Sequence, residues 1–337
     1  MKIFKNKIIV ILGGTGSFGK VFLNKILNSS FKEIRIFSRD EKKQDELRNS
    51  LKSKNIKFYI GDIRDKDSLL NVTKNAHYVF HAAALKQVPS CEFYPLEAIK
   101  TNIIGTNNVI DSCIINKVEK LVCLSTDKAV YPINVMGMSK AIMEKIAIAK
   151  ARDLKKNETK IMITRYGNVL FSRGSILPLI INQIQNEDYV TITEPTMTRF
   201  IMSLDDAINL VLYALENGKN GNIYIPKTSA TTIEILVNAL LNIYKYPRSK
   251  IKIIGIRHGE KIHETLISKE EKIFATDHGK YFSIKSDDRE LNYELYFKVG
   301  RKNNKNTTDY TSSNTKQLNQ SQTYNLLLPL IKNLNIF

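Results

Sequence analysis

This 337-residue chain predicts an α/β protein built on a doubly wound parallel sheet with a smaller carboxy-terminal lobe, and three observations carry the prediction. Apolar runs of strand length alternate with helix-patterned stretches through residue 165, the order that lays parallel strands side by side with helices on both faces. The first run ends in a glycine-rich turn. The fifth ends in Ser125, Thr126, Asp127 and Lys128, an acid beside an amine at a strand's carboxyl end, where open α/β sheets bind ligands.

Ile8 to Leu12 reads as an unbroken apolar strand. It is followed by G-G-T-G-S-F-G, which sets Gly13, Gly16 and Gly19 in G-x-x-G-x-x-G spacing ahead of the helical run Val21, Phe22, Ile26, Leu27. Glycine is needed there because the backbone must turn tightly, approach a pyrophosphate and let the helix pack on the strand. The phosphates then face free N–H groups at the helix amino end. Thr15, Ser17 and Phe18 complete this Rossmann-type dinucleotide turn. The next strand, Ile34 to Phe37, delivers Ser38, Arg39 and Asp40 about 20 residues after the last glycine, at the adenosine ribose. An acid there binds the 2′-hydroxyl of NAD and an arginine the 2′-phosphate of NADP. Both are present, with Lys42 and Lys43 close by, and the charge-assisted bonds open to Arg39 favour NADP over NAD. Lys57 to Ile60 ends at Gly61-Asp62-Ile63, with Asp62 placed to accept from the adenine amino group. Tyr78 to His81 ends in Ala82, Ala83 and Ala84, small enough to let the chain pass close to a flat cofactor.

After Leu121 to Leu124, Asp127 and Lys128 can supply a proton donor and a proton acceptor, and Ser139-Lys140 opens an amphipathic stretch through Ile142, Met143 and Ile146. The same residues could equally cap an ordinary strand-to-helix connection. Arg165, Tyr166, Gly167 and Asn168 follow the apolar Ile161 to Ile163, so Tyr166 can lie near the nicotinamide and Asn168 can reach a substrate phosphate or sugar.

At this point the chain resembles the extended short-chain dehydrogenase/reductase family, and within it the nucleotide-sugar 4,6-dehydratases of capsule and surface-polysaccharide synthesis. The resemblance rests on G-G-T-G-S-F-G at 13 to 19, F-S-R-D-E-K-K at 37 to 43, H-A-A-A-L-K-Q-V-P at 81 to 89, S-T-D-K-A at 125 to 129, R-Y-G-N-V at 165 to 169, M-T-R-F at 197 to 200 and R-H-G-E-K at 257 to 261. T-D-K-A together with R-x-G-E-K is far more restrictive than the glycines, and is most similar to the inverting UDP-N-acetylglucosamine 4,6-dehydratase (5-epimerase) branch of the CapE/CapD kind. The resemblance implies a redox-neutral cycle in which bound NADP takes hydride from C4 of the sugar, C5 loses a proton, the C6 hydroxyl leaves and hydride returns at C6. By the same resemblance Asp127 protonates the leaving hydroxyl, Lys128 removes the C5 proton and returns one to the opposite face, and Lys140 holds the nicotinamide ribose. A lysine base needs a depressed pKa. Arg199 and Arg257 are expected on the diphosphate, since a guanidinium fork pairs two oxygens at once. Glu260 is expected on the ribose hydroxyls and Lys86 on the sugar side of the cleft.

Met136 departs from the wider family, which has tyrosine four residues before the lysine. A thioether cannot accept the proton of the C4 hydroxyl. Lys128, or Tyr131 if its loop comes close, is expected to take over. Two rival readings remain: a UDP-hexose 4-epimerase, and a silent NADP-binding scaffold.

Charge and composition bound the rest. The 51 basic and 33 acidic residues give +18, but the lysines are dispersed, and only 156–160 and 301–306 form basic clusters that read as surface loops. No specific nucleic-acid partner is expected; the charge should help draw in a UDP-sugar. The five histidines, at 77, 81, 258, 263 and 278, lack ligand spacing, so no metal is expected. Cys91, Cys113 and Cys123 read as reduced thiols, and no apolar run reaches the roughly 18 residues of a membrane span, which together suggest a cytoplasmic protein. Residues 1–167 should form the nucleotide-binding domain, with 200–228 returning to its sheet; 168–199 and 229–300 the substrate-binding lobe; and 301–337 an extension of a homo-oligomeric protein, whose D-Y-T-S-S-N-T at 309 to 315 either packs on the cleft or on a neighbouring subunit or is equally a flexible tail.

Overall fold

The structure, a computed structural model, describes residues 1–172, 174–287, 294–298, 300 and 307–333. Its main sheet is built on six parallel strands: β1 (Ile8–Leu12), β2 (Glu33–Ser38), β3 (Ile56–Ile60), β4 (Tyr78–His81), β5 (Lys120–Leu124) and β6 (Lys160–Thr164). They lie in the order β3-β2-β1-β4-β5-β6. The winding reverses between β1 and β4, which opens a crevice at their carboxyl ends.

All five β1 residues are buried, because helices cover both faces. Alternation assigns the faces: Val10 and Leu12 join one core with Leu69, Val109, Ile110 and Met143, whereas Ile9 and Ile11 join another with Phe22, Leu23, Ile208 and Val211. Helix Leu204–Asn217 starts from a Ser203–Asp206 capping box, and the strand that follows it, Ile223–Pro226, pairs in parallel with β6. Antiparallel strands Tyr281–Ile284 and Ala275–Asp277 then extend that edge. These last two were expected in the substrate-binding lobe. They join the main sheet because Ile284 belongs to the sheet's own core, with Phe282 and Ala275 packed against it.

The lobe has a separate core of Leu177, Ile180, Val190, Ile192, Leu236, Val237 and Leu240. Helix Gln320–Asn333 packs onto it through Leu327 and Ile331, so the extension carries an ordered helix that its polar start concealed. Residues 309–315 pack instead beside the main sheet's core, with Tyr310–Thr311 paired to Thr265–Ile267, whose Leu266 and Ile267 belong to that core. Residues 156–160 are a largely exposed connection, and 301–306 lie outside the described residues. Among the described residues no helix is long and apolar enough to cross a membrane.

Candidate active site

The glycine turn needs its glycines for two separate reasons. Gly13 has φ +78°, and a Cβ there would lie 2.8 Å from the Ala83 amide nitrogen and 2.9 Å from the Ala82 carbonyl carbon. Thus the small residues just after β4 and the turn after β1 approach to contact across the switch point. A Cβ on Gly19 would lie 2.5 Å from Gly14 Cα, so that glycine lets the helix close on the turn. Helix Ser17–Ile26 begins at Gly16 without a side-chain cap, and the positive end of its dipole at this turn favours an anion. Thr15 is nearly buried beneath the turn. Phe18 stacks on Tyr166 with ring centroids 4.9 Å apart, which ties the residue after β6 to the turn.

At the adenosine end, Arg39 follows β2 with its side chain 56% exposed and Nη1 3.5 Å from Asp62 Oδ2. Asp40 is committed elsewhere. It caps helix Glu41–Leu51 by accepting from the Lys43 amide, and its carboxylate also pairs with the Lys43 amine. Asp62 receives the Arg64 amide at 2.9 Å and the Arg64 guanidinium at 2.7 and 3.0 Å. Burial would raise its pKa, but Arg64 outweighs it and holds the carboxyl below the ordinary value. The carboxylate expected to receive adenine is therefore already engaged. Ile63 is buried under Gly105, and Lys86 is exposed just before helix Val88–Phe93.

Asp127 and Lys128 lie in a short 3-10 turn, Asp127–Ala129, capped by Thr126. Asp127 is 0% exposed, and its amide donates to the Tyr166 carbonyl at 2.9 Å. Lys128 Nζ sits between Asp127 Oδ1 at 3.2 Å and Glu264 Oε1 at 2.9 Å. Glu264 is 2% exposed and immediately precedes the strand Thr265–Ile267. Three oxygens, Asp127 Oδ2, Glu264 Oε2 and Asn168 Oδ1, are buried without a hydrogen-bond partner among the described residues. Buried acceptors of that kind are costly unless something else satisfies them.

The electrostatics correct one expectation. Burial pushes the Asp127 carboxyl up, against the pull of Lys128. Burial would depress the Lys128 amine, but Asp127 and Glu264 outweigh it and the net shift is upward, so the free site holds Lys128 as an ammonium. The depressed lysine is instead Lys140, pushed down to about 8 by burial while Nζ donates to the Leu124 carbonyl at 2.8 Å.

Met136 is a core residue, buried with Cys91 and Ala98 and flanked by Leu85, Val88 and Val135. Tyr131 does not replace it. Its hydroxyl lies 2.9 Å from Glu270 Oε2 and 3.2 Å from Asp309 Oδ1, and its ring is 47% exposed. Arg199 is likewise not poised as a free fork. Its buried guanidinium donates to the carbonyls of Thr198 at 2.8 Å and Ile262 at 3.2 Å, with Nε 3.9 Å from Glu264. Arg257 is about half exposed and pairs with Glu260 at 3.2 Å. Their loop is pinned where Asn134 Nδ2 donates to the Gly259 carbonyl at 2.8 Å and Lys261 Nζ to the Val130 carbonyl at 2.5 Å. Asn168 opens a two-residue strand beside Ile201.

Sequence reasoning missed Glu264, and it missed the use made of Arg165. That guanidinium forks onto Glu144 at 2.5 and 3.0 Å and onto Glu271 at 2.8 and 2.9 Å, and donates to the Leu266 carbonyl at 2.9 Å. It thereby fastens β6 to the helix bearing Lys140 (Val135–Arg152) and to the strand after Glu264. The histidines are dispersed: His77 accepts from the Ile8 amide, while His81, His263 and His278 bond hydroxyls of Thr106, Thr198 and Ser283.

A family model described as polysaccharide biosynthesis protein matches residues 9–286, and its carboxy-terminal counterpart matches residues 287–332. A protein named UDP-glucose 4-epimerase from Rickettsia bellii is 55% identical over 97% of each chain. The crystal structure of Pen from Bacillus thuringiensis superposes with a TM-score of 0.88 at 35% identity, covering 97% of this chain and 99% of that one. DesIV, a dTDP-glucose 4,6-dehydratase from Streptomyces venezuelae with NAD and TYD bound, shares the fold at a TM-score of 0.69 and 20% identity, covering 76% of this chain and 86% of that one. The chain belongs to the polysaccharide biosynthesis protein family and, with it, to the extended short-chain dehydrogenase/reductase enzymes that modify nucleotide sugars.

Proposed function

We propose that this protein is a UDP-N-acetylglucosamine 4,6-dehydratase that inverts C5 with the help of bound NADP. The carrying observation is the acid–amine pair of buried Asp127 and partly buried Lys128 at the carboxyl end of β5, backed by Glu264. Dehydration needs a proton delivered to the C6 oxygen and one removed from C5, and an acid with a raised pKa beside an amine is suited to that division of labour. The dinucleotide, when bound, supplies the hydride exchange. Gly13, Gly16 and Gly19 would admit its pyrophosphate, and Ala82 and Ala83 its flat face. Arg39 would take a 2′-phosphate; the commitment of Asp40 to its own helix supports NADP over NAD. Lys140 would hold the nicotinamide ribose, and Arg257 and Glu260 the UDP moiety.

A second reading, UDP-glucose 4-epimerase, is favoured by the name of the Rickettsia bellii relative. That reaction needs a proton acceptor at O4 and makes no use of an acid at C6. The dehydratase also oxidises C4 and needs the same acceptor, so the apolar setting of Met136 bears on both readings alike; what favours the dehydratase is the acid Asp127 beside Lys128, which only expulsion of the C6 hydroxyl requires. Purified protein supplied with NADP and each UDP-sugar should remove one water from UDP-N-acetylglucosamine, and Asp127→Asn should slow this by about 100-fold or more, within the range for loss of a general acid. A C4 inversion without mass change, indifferent to Asp127→Asn, would establish the epimerase instead.

A further inference from the structure

Glu264 has no role in the chemistry described so far, yet its placement is more constrained than that of any exposed partner would be. It comes from outside the nucleotide-binding sheet, immediately before the strand Thr265–Ile267, and its carboxylate meets Lys128 Nζ at 2.9 Å, closer than Asp127 does at 3.2 Å. Its second oxygen is buried without a partner among the described residues. The backbone on either side is clamped. The Glu264 amide donates to Ser312 Oγ at 2.9 Å, and the Ser312 amide donates back to the Glu264 carbonyl at 2.8 Å. Ser312 is itself fully buried and bonded to Thr198 through Oγ1 at 2.7 Å and the carbonyl at 3.1 Å. The carboxy-terminal segment therefore fixes this carboxylate against the lysine.

We propose that Glu264 is a positioning residue that takes the proton Lys128 must lose before Lys128 can act as a base. The inference rests on the dehydratase reading above. In the free site the pair is ammonium and carboxylate. When a sugar covers the cleft and removes solvent, the neutral pair is favoured, because desolvation penalises both charges together. One Nζ–H bond then breaks and one Oε–H bond forms; Nζ keeps the lone pair that accepts the C5 proton, while Asp127, whose carboxyl burial pushes up, takes a proton from solvent before the sugar closes the cleft and gives it to the departing C6 oxygen. No electrons change hands. The other charged or titratable groups facing the pair are Asp127, Arg199, Lys261 and, on the Asp127 side, Tyr166.

Glu264→Gln keeps the size and a hydrogen-bond acceptor for Nζ but cannot receive the proton. Its kcat should fall about 100-fold near neutrality with KM changed less than about twofold. Its rate should also climb about tenfold per pH unit towards pH 9, as solvent takes the proton instead. A loss of equal size at every pH, or none, overturns the proposal. Glu264→Asp retains a proton acceptor and should keep the shape of the wild-type profile at reduced kcat; acquiring the steep slope would count against the proposal. Titrating the Lys128 amine by nitrogen NMR in the substrate-free proteins separates this idea from the choice of reaction. Glu264→Gln should lower that pKa, and an unchanged value refutes the pairing whichever sugar is converted. If the wild type fails to exchange C5 with solvent, it is the dehydratase reading that falls, and the NMR result still stands.

Discussion

Replacing Arg165 by methionine should destabilise the protein severely, because one side chain satisfies two carboxylates and a carbonyl inside the core. Glu144, 3% exposed, would retain only the Ser125 hydroxyl, and the Leu266 carbonyl would lose the Arg165 donor. Glu271 would keep its capping bonds to Ser268 but lose the guanidinium that, against the effect of burial, holds its pKa down. Removing one partner from a buried ion pair costs about 3–5 kcal/mol, and an unsatisfied buried carbonyl adds about 1 kcal/mol or more. Part of that is regained by relaxation and by methionine filling the space, so a net loss of about 4 kcal/mol is expected. At about 2.1 cal/mol/K per residue the 337-residue chain unfolds with an entropy of about 0.7 kcal/mol/K, so this lowers Tm by about 6 °C. Urea denaturation and calorimetry both read the change. The double variant Arg165→Met/Glu144→Gln should recover about 2 kcal/mol of it, since the stranded charge is then gone. If Arg165→Met alone costs less than about 1 kcal/mol, Arg165 is not the tie between β6, the Lys140 helix and the lobe.

Lys140 predicts a pH-dependent stability. Its folded pKa, about 8, lies below the ordinary 10.5, so below pH 8 the fold bears the full cost of a buried ammonium. Between pH 8 and 10.5 the unfolded chain binds the extra proton and the native state gains stability as pH rises, by on the order of 3 kcal/mol in total. Lys140→Met should abolish that rise, and parallel denaturation curves for the two proteins from pH 7 to 10 would show the assignment to be wrong. Arg39→Ala should weaken NADP about 10- to 100-fold by removing charge-assisted bonds while leaving NAD affinity unchanged, measured by isothermal titration. Equal losses for both dinucleotides would place Arg39 away from the 2′-phosphate.

The parallel sheet was legible because its strands are short, buried on both faces and separated by helix periodicity, and because Gly13, Gly16 and Gly19 stand where the turn demands them. Asp127, Lys128 and Lys140 could be read as a group since β5 and the following helix hold them within fourteen residues. Glu264 could not, because its partner Lys128 lies far away in the sequence and the two are brought together by strand pairing with Tyr310–Thr311 and by Ser312. An acid directly before the apolar T-L-I run, shortly after R-H-G-E-K, was the one available signal. Arg199 and Tyr131 misled for a related reason. Both residue types suit an anion or a proton, yet here carbonyls, Glu270 and Asp309 claim them, and those partners are remote in sequence. The antiparallel edge at 275–284 escaped notice because short alternating strands look alike whether they close a lobe or extend a sheet.

The most direct test is to incubate the purified protein with UDP-N-acetylglucosamine and NADP in deuterated water and analyse the sugar by mass spectrometry and NMR. A product lighter by one water, with deuterium at C5 and inverted configuration there, is the predicted result, and Lys128→Ala should abolish the label. Recovery of an epimer at C4 with unlabelled C5 would contradict the account.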